Sequence, residues 1–156
     1  MEGLKILQDS REQRPLKFKI EAIKTCLNVG DYAALFSDNY QYPVVFERKG
    51  IGDLFGTLSK GYERFKKCIE RAKEQNIKII IAIEGSKERI LRGYANSQRN
   101  GCSIVLQLET IKERYGVDHM FFPSRITMAN YIVDYYLVKY EEYINEKSNN
   151  QTITNI

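Results

Sequence analysis

Val44-Val45-Phe46-Glu47-Arg48-Lys49-Gly50-Ile51-Gly52-Asp53, preceded at a distance by Gly30-Asp31, is the stretch on which the fold of this chain turns. Up to Phe46 it is β-branched and aromatic, so it reads as a strand that runs from a buried region straight into charge. Successive strand side chains point to opposite faces, which puts Glu47 and Lys49 on one face and Arg48 on the other. Between Asp31 and this strand, Ser37-Asp38-Asn39-Tyr40-Gln41-Tyr42-Pro43 is rich in turn formers and joins two strand-like runs as a long hairpin. The start of one hairpin strand lies opposite the end of the next, so Asp31 and Glu47 are expected to meet. Two carboxylates beside an ammonium are the groups that metal-dependent phosphodiester cleavage requires. The carboxylates hold a divalent cation, while the lysine orients a water and steadies the charge on the phosphate.

Working outward, Leu4-Lys5-Ile6-Leu7 is a first strand whose end delivers Asp9, and Pro15 then breaks any helix. From Ile20 to Phe36 the pattern is extended, with a short irregular or helical piece near residues 20–24 left open. Lys78-Ile79-Ile80-Ile81-Ala82-Ile83-Glu84 is almost uninterruptedly apolar, as in a central strand covered on both faces, and it implies helices on both sides of the sheet. Phe65, Cys68, Ile69 and Ala72 recur at helical spacing, so the sequence predicts a helix from Tyr62 to Gln75 with Glu63, Lys66, Lys67, Glu70 and Lys73 on its solvated face. Gly50, Gly52, Gly56 and Gly61 do not match the spacing of a phosphate-binding loop, and no nucleoside triphosphate site is expected. Ser103 is a candidate cap for a helix through Tyr115, and Met120-Phe121-Phe122 reads as a further strand. Lys87 to Asn100, with Arg89, Arg92 and Arg99, is either a loop over the substrate or a plain surface loop. A last helix spans about Ile126 to Glu146, and its Tyr, Ile and Val residues are too many for one stripe. The remainder, from Ser148 to Ile156, reads as a polar, loose tail. The expected organisation is one α/β domain over residues 1–146, with a tail over 147–156.

Composition agrees with a single folded domain. The chain has 156 residues, of which 43% are hydrophobic and 28% charged, which excludes a disordered chain. No apolar run approaches 18 residues and the amino terminus lacks a signal-peptide core, so no membrane partner and an intracellular, cytoplasmic site of action are expected. Cys26, Cys68 and Cys102 lack paired spacing and are expected to be reduced, partly buried thiols. The net charge of +4 permits nucleic acid without requiring it. If carboxylates gather in one site, the rest of the surface is more basic than the total.

The residues assembled so far resemble the nuclease domain of the XPF family of structure-specific DNA endonucleases. The family's signature of Gly-Asp, a variable gap, Glu-Arg-Lys, three residues and Asp is met by Gly30-Asp31, Glu47-Arg48-Lys49 and Asp53. Asp9-Ser10-Arg11-Glu12-Gln13 is similar to the family's Asp-x-Arg-Glu element, and Arg64 follows on the next helix. The resemblance covers about Leu4 to Tyr140 and implies a restriction-endonuclease-like fold with a mixed central β-sheet flanked by helices. It also implies hydrolysis of DNA phosphodiesters to leave a 5′-phosphate, at branched or structured DNA in repair or recombination. The helix that larger members carry after the first strand is expected to be shortened here and the tandem helix-hairpin-helix domain to be absent, an arrangement similar to the stand-alone versions of bacteria and their viruses.

On that resemblance Asp31, Glu47 and the backbone carbonyl of Arg48 are expected to bind Mg²⁺, for which Mn²⁺ substitutes. Lys49 is expected to orient the attacking water, Asp9 and Asp53 to complete the acidic cluster, and Arg11 and Arg64 to hold phosphate or brace carboxylates. Arg48 is expected to brace from the opposite strand face. Glu12 and Glu84 are either supports of the site or surface residues, and the lone His119 is expected to be structural. Taken singly, Glu47 and Lys49 would be a surface ion pair and Asp31 a turn residue. Two other readings stand beside the enzyme: a non-catalytic DNA-binding or scaffolding subunit, and a nuclease with RNA or general specificity. The breadth of the last helix, with the family's habit of pairing nuclease domains, predicts a homodimer.

Overall fold

The computed structural model describes residues 2–154, with side chains described as far as Gln151. Six strands, β1 (Leu4–Asp9), β2 (Ala22–Thr25), β3 (Tyr32–Phe36), β4 (Val44–Gly50), β5 (Lys78–Glu84) and β6 (Asp118–Phe122), form one sheet in the order β2-β1-β3-β4-β5-β6. The sheet is mixed. β3 runs antiparallel to β1 and β4, whereas β2 pairs parallel with β1, β5 with β4, and β6 with β5. The helices are α1 (Ile51–Leu58), α2 (Tyr62–Glu74), α3 (Lys87–Leu91), α4 (Gly101–Tyr115) and α5 (Arg125–Thr154).

The alternation of strand side chains divides the core into two layers. Val45, Ile79, Ile81 and Ile83 face α1, α2 and α4, which bury Leu54, Phe55, Leu58, Phe65, Ile69, Ile104 and Leu108 against them. Val44, Phe46, Ile80 and Ala82 face α5, which supplies Met128, Ile132, Val133, Tyr136 and Tyr140. Burying a tyrosine hydroxyl unpaired would cost roughly 1–3 kcal/mol. Tyr136 avoids that by donating to Val44 O at 2.7 Å, with Tyr32 O at 3.3 Å, between the two hairpin strands.

Several expectations are corrected. The segment near residues 20–24 is the edge strand β2, and the glycine-rich segment contains α1, because Ile51, Leu54, Phe55 and Leu58 keep a helical stripe despite Gly52 and Gly56. Asn100, not Ser103, caps α4: its Oδ1 accepts from Ser103 N–H at 2.8 Å while Ser103 Oγ donates to Asn100 O. α5 does not stop near Glu146 but continues to Thr154, and residues 155–156 of the expected tail lie outside the described residues. Part of the broad surface of α5 packs within the chain, where Tyr131, Tyr135 and Tyr136 meet Phe46 edge-on, while Ile126, Val138 and Ile144 stay exposed. The thiols are free, but Cys26 and Cys102 are exposed and only Cys68 is half-buried.

Candidate active site

Backbone pairing gathers the acidic residues at one end of the sheet. Asp9 N–H at the end of β1 donates to Asp31 O at 2.8 Å, and Asp31 N–H donates to Phe46 O at 2.9 Å, one residue before Glu47. Gly30 makes this possible. Its φ of +79° is a left-handed conformation, and a Cβ there would stand 2.7 Å from Val45. Asp31 Oδ2 then accepts from Arg48 N–H at 2.7 Å, which fixes the carboxylate beside β4.

Glu47 and Lys49 point to the same face, with Lys49 Nζ 3.4 Å from Glu47 Oε1, and their side chains keep only 16% and 18% exposure. Burial, reinforced by the neighbouring Glu47 charge, pushes the Asp31 carboxyl up to about 8. Burial raises Glu47 as well, and Lys49 partly offsets it. Two desolvated carboxylates that each resist ionisation are a site short of positive charge.

Arg48 turns to the opposite face, as its place in the strand predicts. Its Nε donates to Glu12 Oε2 at 3.0 Å and its Nη1 lies 3.7 Å from Glu84 Oε2, so both glutamates support the site from behind. Tyr32 Oη completes this brace by donating to Glu12 Oε2 at 2.8 Å and accepting from Leu16 N–H at 2.8 Å. His119 lies elsewhere, on β6, with Nε2 3.5 Å from Glu109 and its ring against Phe121.

Asp9 is buried, and its oxygens are occupied. Oδ2 accepts from Arg11 Nε at 2.8 Å and Oδ1 from Leu27 N–H at 3.0 Å. Burial opposes its charge, yet the Arg11 guanidinium and the Leu27 N–H hold it below the usual carboxylate range. Arg11 also donates from Nη2 to Leu27 O at 2.8 Å, so in this arrangement it braces Asp9.

These residues line a cleft of about 690 Å³ whose floor holds Asp9, Asp31 and Glu47 and whose wall carries Asp53 from the first turn of α1. Arg64, Cys68 and Arg71 of α2 line it too, together with Lys60 from the turn before that helix. Sequence reasoning found Arg64 but missed Lys60 and Arg71. Arg71 stands seven positions, about two turns, after Arg64 and so on the same face, a spacing that would have revealed it. Among the described residues no group of three or more His, Cys, Asp or Glu side chains is disposed to hold a metal. Asp31 and Glu47 are the two carboxylates of the cleft whose raised pKa values leave them in want of positive charge, and they could hold a hard cation together with backbone oxygen and water.

Two solved structures of XPF from Aeropyrum pernix share the fold. One matches with a TM-score of 0.63 at 20% identity over 82% of this chain, and the other, a complex with DNA, with 0.68 at 21% over 88%. This chain covers 61% and 66% of those two chains. A search of curated proteins finds no match. A family model, the ERCC4 domain, matches residues 8–135, which include every residue of the cleft and its brace, and the chain therefore belongs to the ERCC4 (XPF nuclease) domain family.

Proposed function

We propose that this chain is a divalent-metal-dependent DNA endonuclease that hydrolyses phosphodiester bonds at branched or structured DNA, as in repair or recombination. The observation that carries the reading is the pair Asp31 and Glu47, half-buried beside Lys49 in a cleft rimmed by Lys60, Arg64 and Arg71. The XPF neighbour solved with DNA supports nucleic acid as the ligand.

Asp31, Glu47 and the Arg48 carbonyl would hold Mg²⁺ or Mn²⁺. When bound, such a cation neutralises phosphate charge and makes water more acidic. Lys49, held over the floor by Glu47, orients the attacking water and donates to a phosphate oxygen. Asp53, exposed at the cleft wall, accepts from waters there. The rim cations draw in the DNA backbone and fix its register. Arg48 keeps its guanidinium off the phosphate and holds β4 in place through Glu12 and Glu84. The product carries a 5′-phosphate.

Labelled flap, fork, four-way-junction and linear DNA incubated with Mg²⁺ test this, beside RNA and single strands and the variants Asp31→Asn and Lys49→Ala. Wild type is expected to cut branched DNA and both variants to lose at least about a hundredfold. DNA binding without any cleavage that the variants abolish would instead mark a non-catalytic subunit, and equal cutting of RNA a general nuclease. Pairing of two copies through α5 is a separate proposal, supported by the exposed Ile126, Val138 and Ile144. Light scattering that finds only an 18.2 kDa species at high concentration would refute it.

A further inference from the structure

A second pocket, of about 590 Å³, opens on the other side of α1 from the cleft, between that helix and the segment after α3. Tyr94, half-buried, supplies aromatic surface, backed by the buried Phe55 with ring centroids 5.9 Å apart, and Asn96 and Gln98 bring exposed amides to the rim. Ser59 lines it as well, and its Oγ is buried with no hydrogen-bond partner among the described residues.

Two features make this a built pocket. Arg99 pins the segment from three sides, donating to Leu58 O at 2.8 Å, Ser103 Oγ at 3.1 Å and Gln107 Oε1 at 2.9 Å. The pocket also adjoins the cleft, because Gly52, Gly56 and Lys60 line both. A Cβ on Gly52 would strike the Tyr94 hydroxyl at 2.8 Å, while one on Gly56 would meet nothing within 4 Å. The ridge between the two cavities is therefore low, and a cation stands at its end.

We infer that this pocket takes an unpaired nucleobase of the DNA strand whose phosphate lies in the cleft. An aromatic face, adaptable amides and a cation beside a phosphodiester site are the chemistry of a single-stranded base. A paired base is stacked inside its duplex, and extracting it costs energy that a base at a branch does not demand. The pocket thus favours substrates with an unpaired nucleotide next to the cut. The inference rests on the endonuclease reading for its substrate, but its test does not need cleavage.

The experiment titrates forked duplexes carrying one 2-aminopurine, moved through the positions flanking the junction, with Asp31→Asn protein. One unpaired position is expected to show strong quenching by Tyr94, and adding Tyr94→Ala should abolish it and weaken fork binding about tenfold while sparing linear duplex. Tyr94→Phe should retain both signals. Gly56→Gln, a change of open helix surface that favours the helix, is expected to block the ridge and lose fork preference with melting temperature kept or raised. Quenching indifferent to Tyr94→Ala, or equal losses on fork and duplex, overturns the inference. If Tyr94→Ala does not fold, unchanged fork preference in Gly56→Gln overturns it. Tyr94-dependent quenching in a protein whose wild type cuts nothing would sustain the pocket and sink the endonuclease.

Discussion

The backbone N–H of Arg48 donates to the carboxylate of Asp31 at 2.7 Å, so the residue that opens the hairpin is bonded to the middle of the Glu47-Arg48-Lys49 triplet. This bond leaves Asp31 no freedom to withdraw from Glu47. The repulsion between the two half-buried carboxylates is consequently built into the sheet, and it is available to be relieved by a cation or a proton.

The sign of that repulsion predicts how stability depends on pH. Asp31 stands at about 8 in the fold, because of burial and then Glu47, against roughly 3.9 in an unfolded chain. Between those values the folded protein keeps a proton that the unfolded chain has released, so this site loses stability as pH rises from about 4 to 8. Glu47 is raised too and acts in the same direction, whereas the lowered Asp9 acts only at more acidic pH. Thermal melts in EDTA are expected to give a lower melting temperature at pH 8 than at pH 5, with a shallower slope in Asp31→Asn. Added Mg²⁺ should raise the wild-type value more at pH 8 than at pH 5. The same slope in both proteins would show that the carboxylate pair is not its source.

Behind the site, Tyr32 predicts a loss of stability without a loss of charge. Its hydroxyl donates to Glu12 and accepts from Leu16 N–H, and it is fully buried. Tyr32→Phe leaves that N–H without its partner and takes from Glu12 Oε2 one of its two donors, so a cost of about 1–3 kcal/mol is expected in urea unfolding. Arg48 still reaches Glu12 in the variant, and cleavage by the surviving folded fraction should fall less than tenfold.

Much of this architecture is legible in the sequence because it rests on short-range patterns. The alternation through Val44 to Lys49 assigns the faces of Glu47, Lys49 and Arg48, and the unbroken run Lys78–Glu84 marks the strand buried on both sides. The glycines at 52 and 56 concealed α1, since helix propensity argues against them while tertiary packing of Leu54, Phe55 and Leu58 overrides it. Asp9 was legible as a site residue but not as one whose oxygens are taken by Arg11 and Leu27 N–H, the latter eighteen positions along the chain. The width of α5 does not by itself say what its aromatic side chains pack against. What its tyrosines meet is Phe36, Phe46 and Phe122 of the same sheet, and no helical period encodes that.

The cleft rim predicts a salt dependence. Lys60 and Arg64 are exposed and have no acidic partner among the ion pairs of the described residues, so both are available to phosphate. Removing one phosphate-binding cation should reduce the slope of log affinity against log salt by about 1. Fluorescence anisotropy with Asp31→Asn protein between 50 and 200 mM salt, ordinary limits for such a titration, is expected to show the slope falling stepwise in Lys60→Ala and Lys60→Ala/Arg64→Ala. An unchanged slope would place the backbone on another face.

Gly30 carries the sharpest test of how the fold positions its chemistry. At φ +79° an alanine is strained, and its methyl group would sit 2.7 Å from the Cβ and Cγ2 of Val45, a residue fixed in the first core layer. Strained left-handed positions cost about 1–3 kcal/mol, and the steric overlap adds to that. Relief requires the chain to move away from β4, which drags the next residue, Asp31, off the Arg48 N–H and away from Glu47. Gly30→Ala should therefore lower cleavage by more than its loss of folded protein accounts for, when assayed well below its melting temperature. Val45→Ala in the same chain removes Cγ2, one of the two struck atoms, and lets the strand behind it give way, so part of the activity should return even though core packing suffers. Recovery would tie the glycine to the placement of Asp31, and its absence with folding intact would mean that backbone strain alone, without the Val45 overlap, displaces the carboxylate.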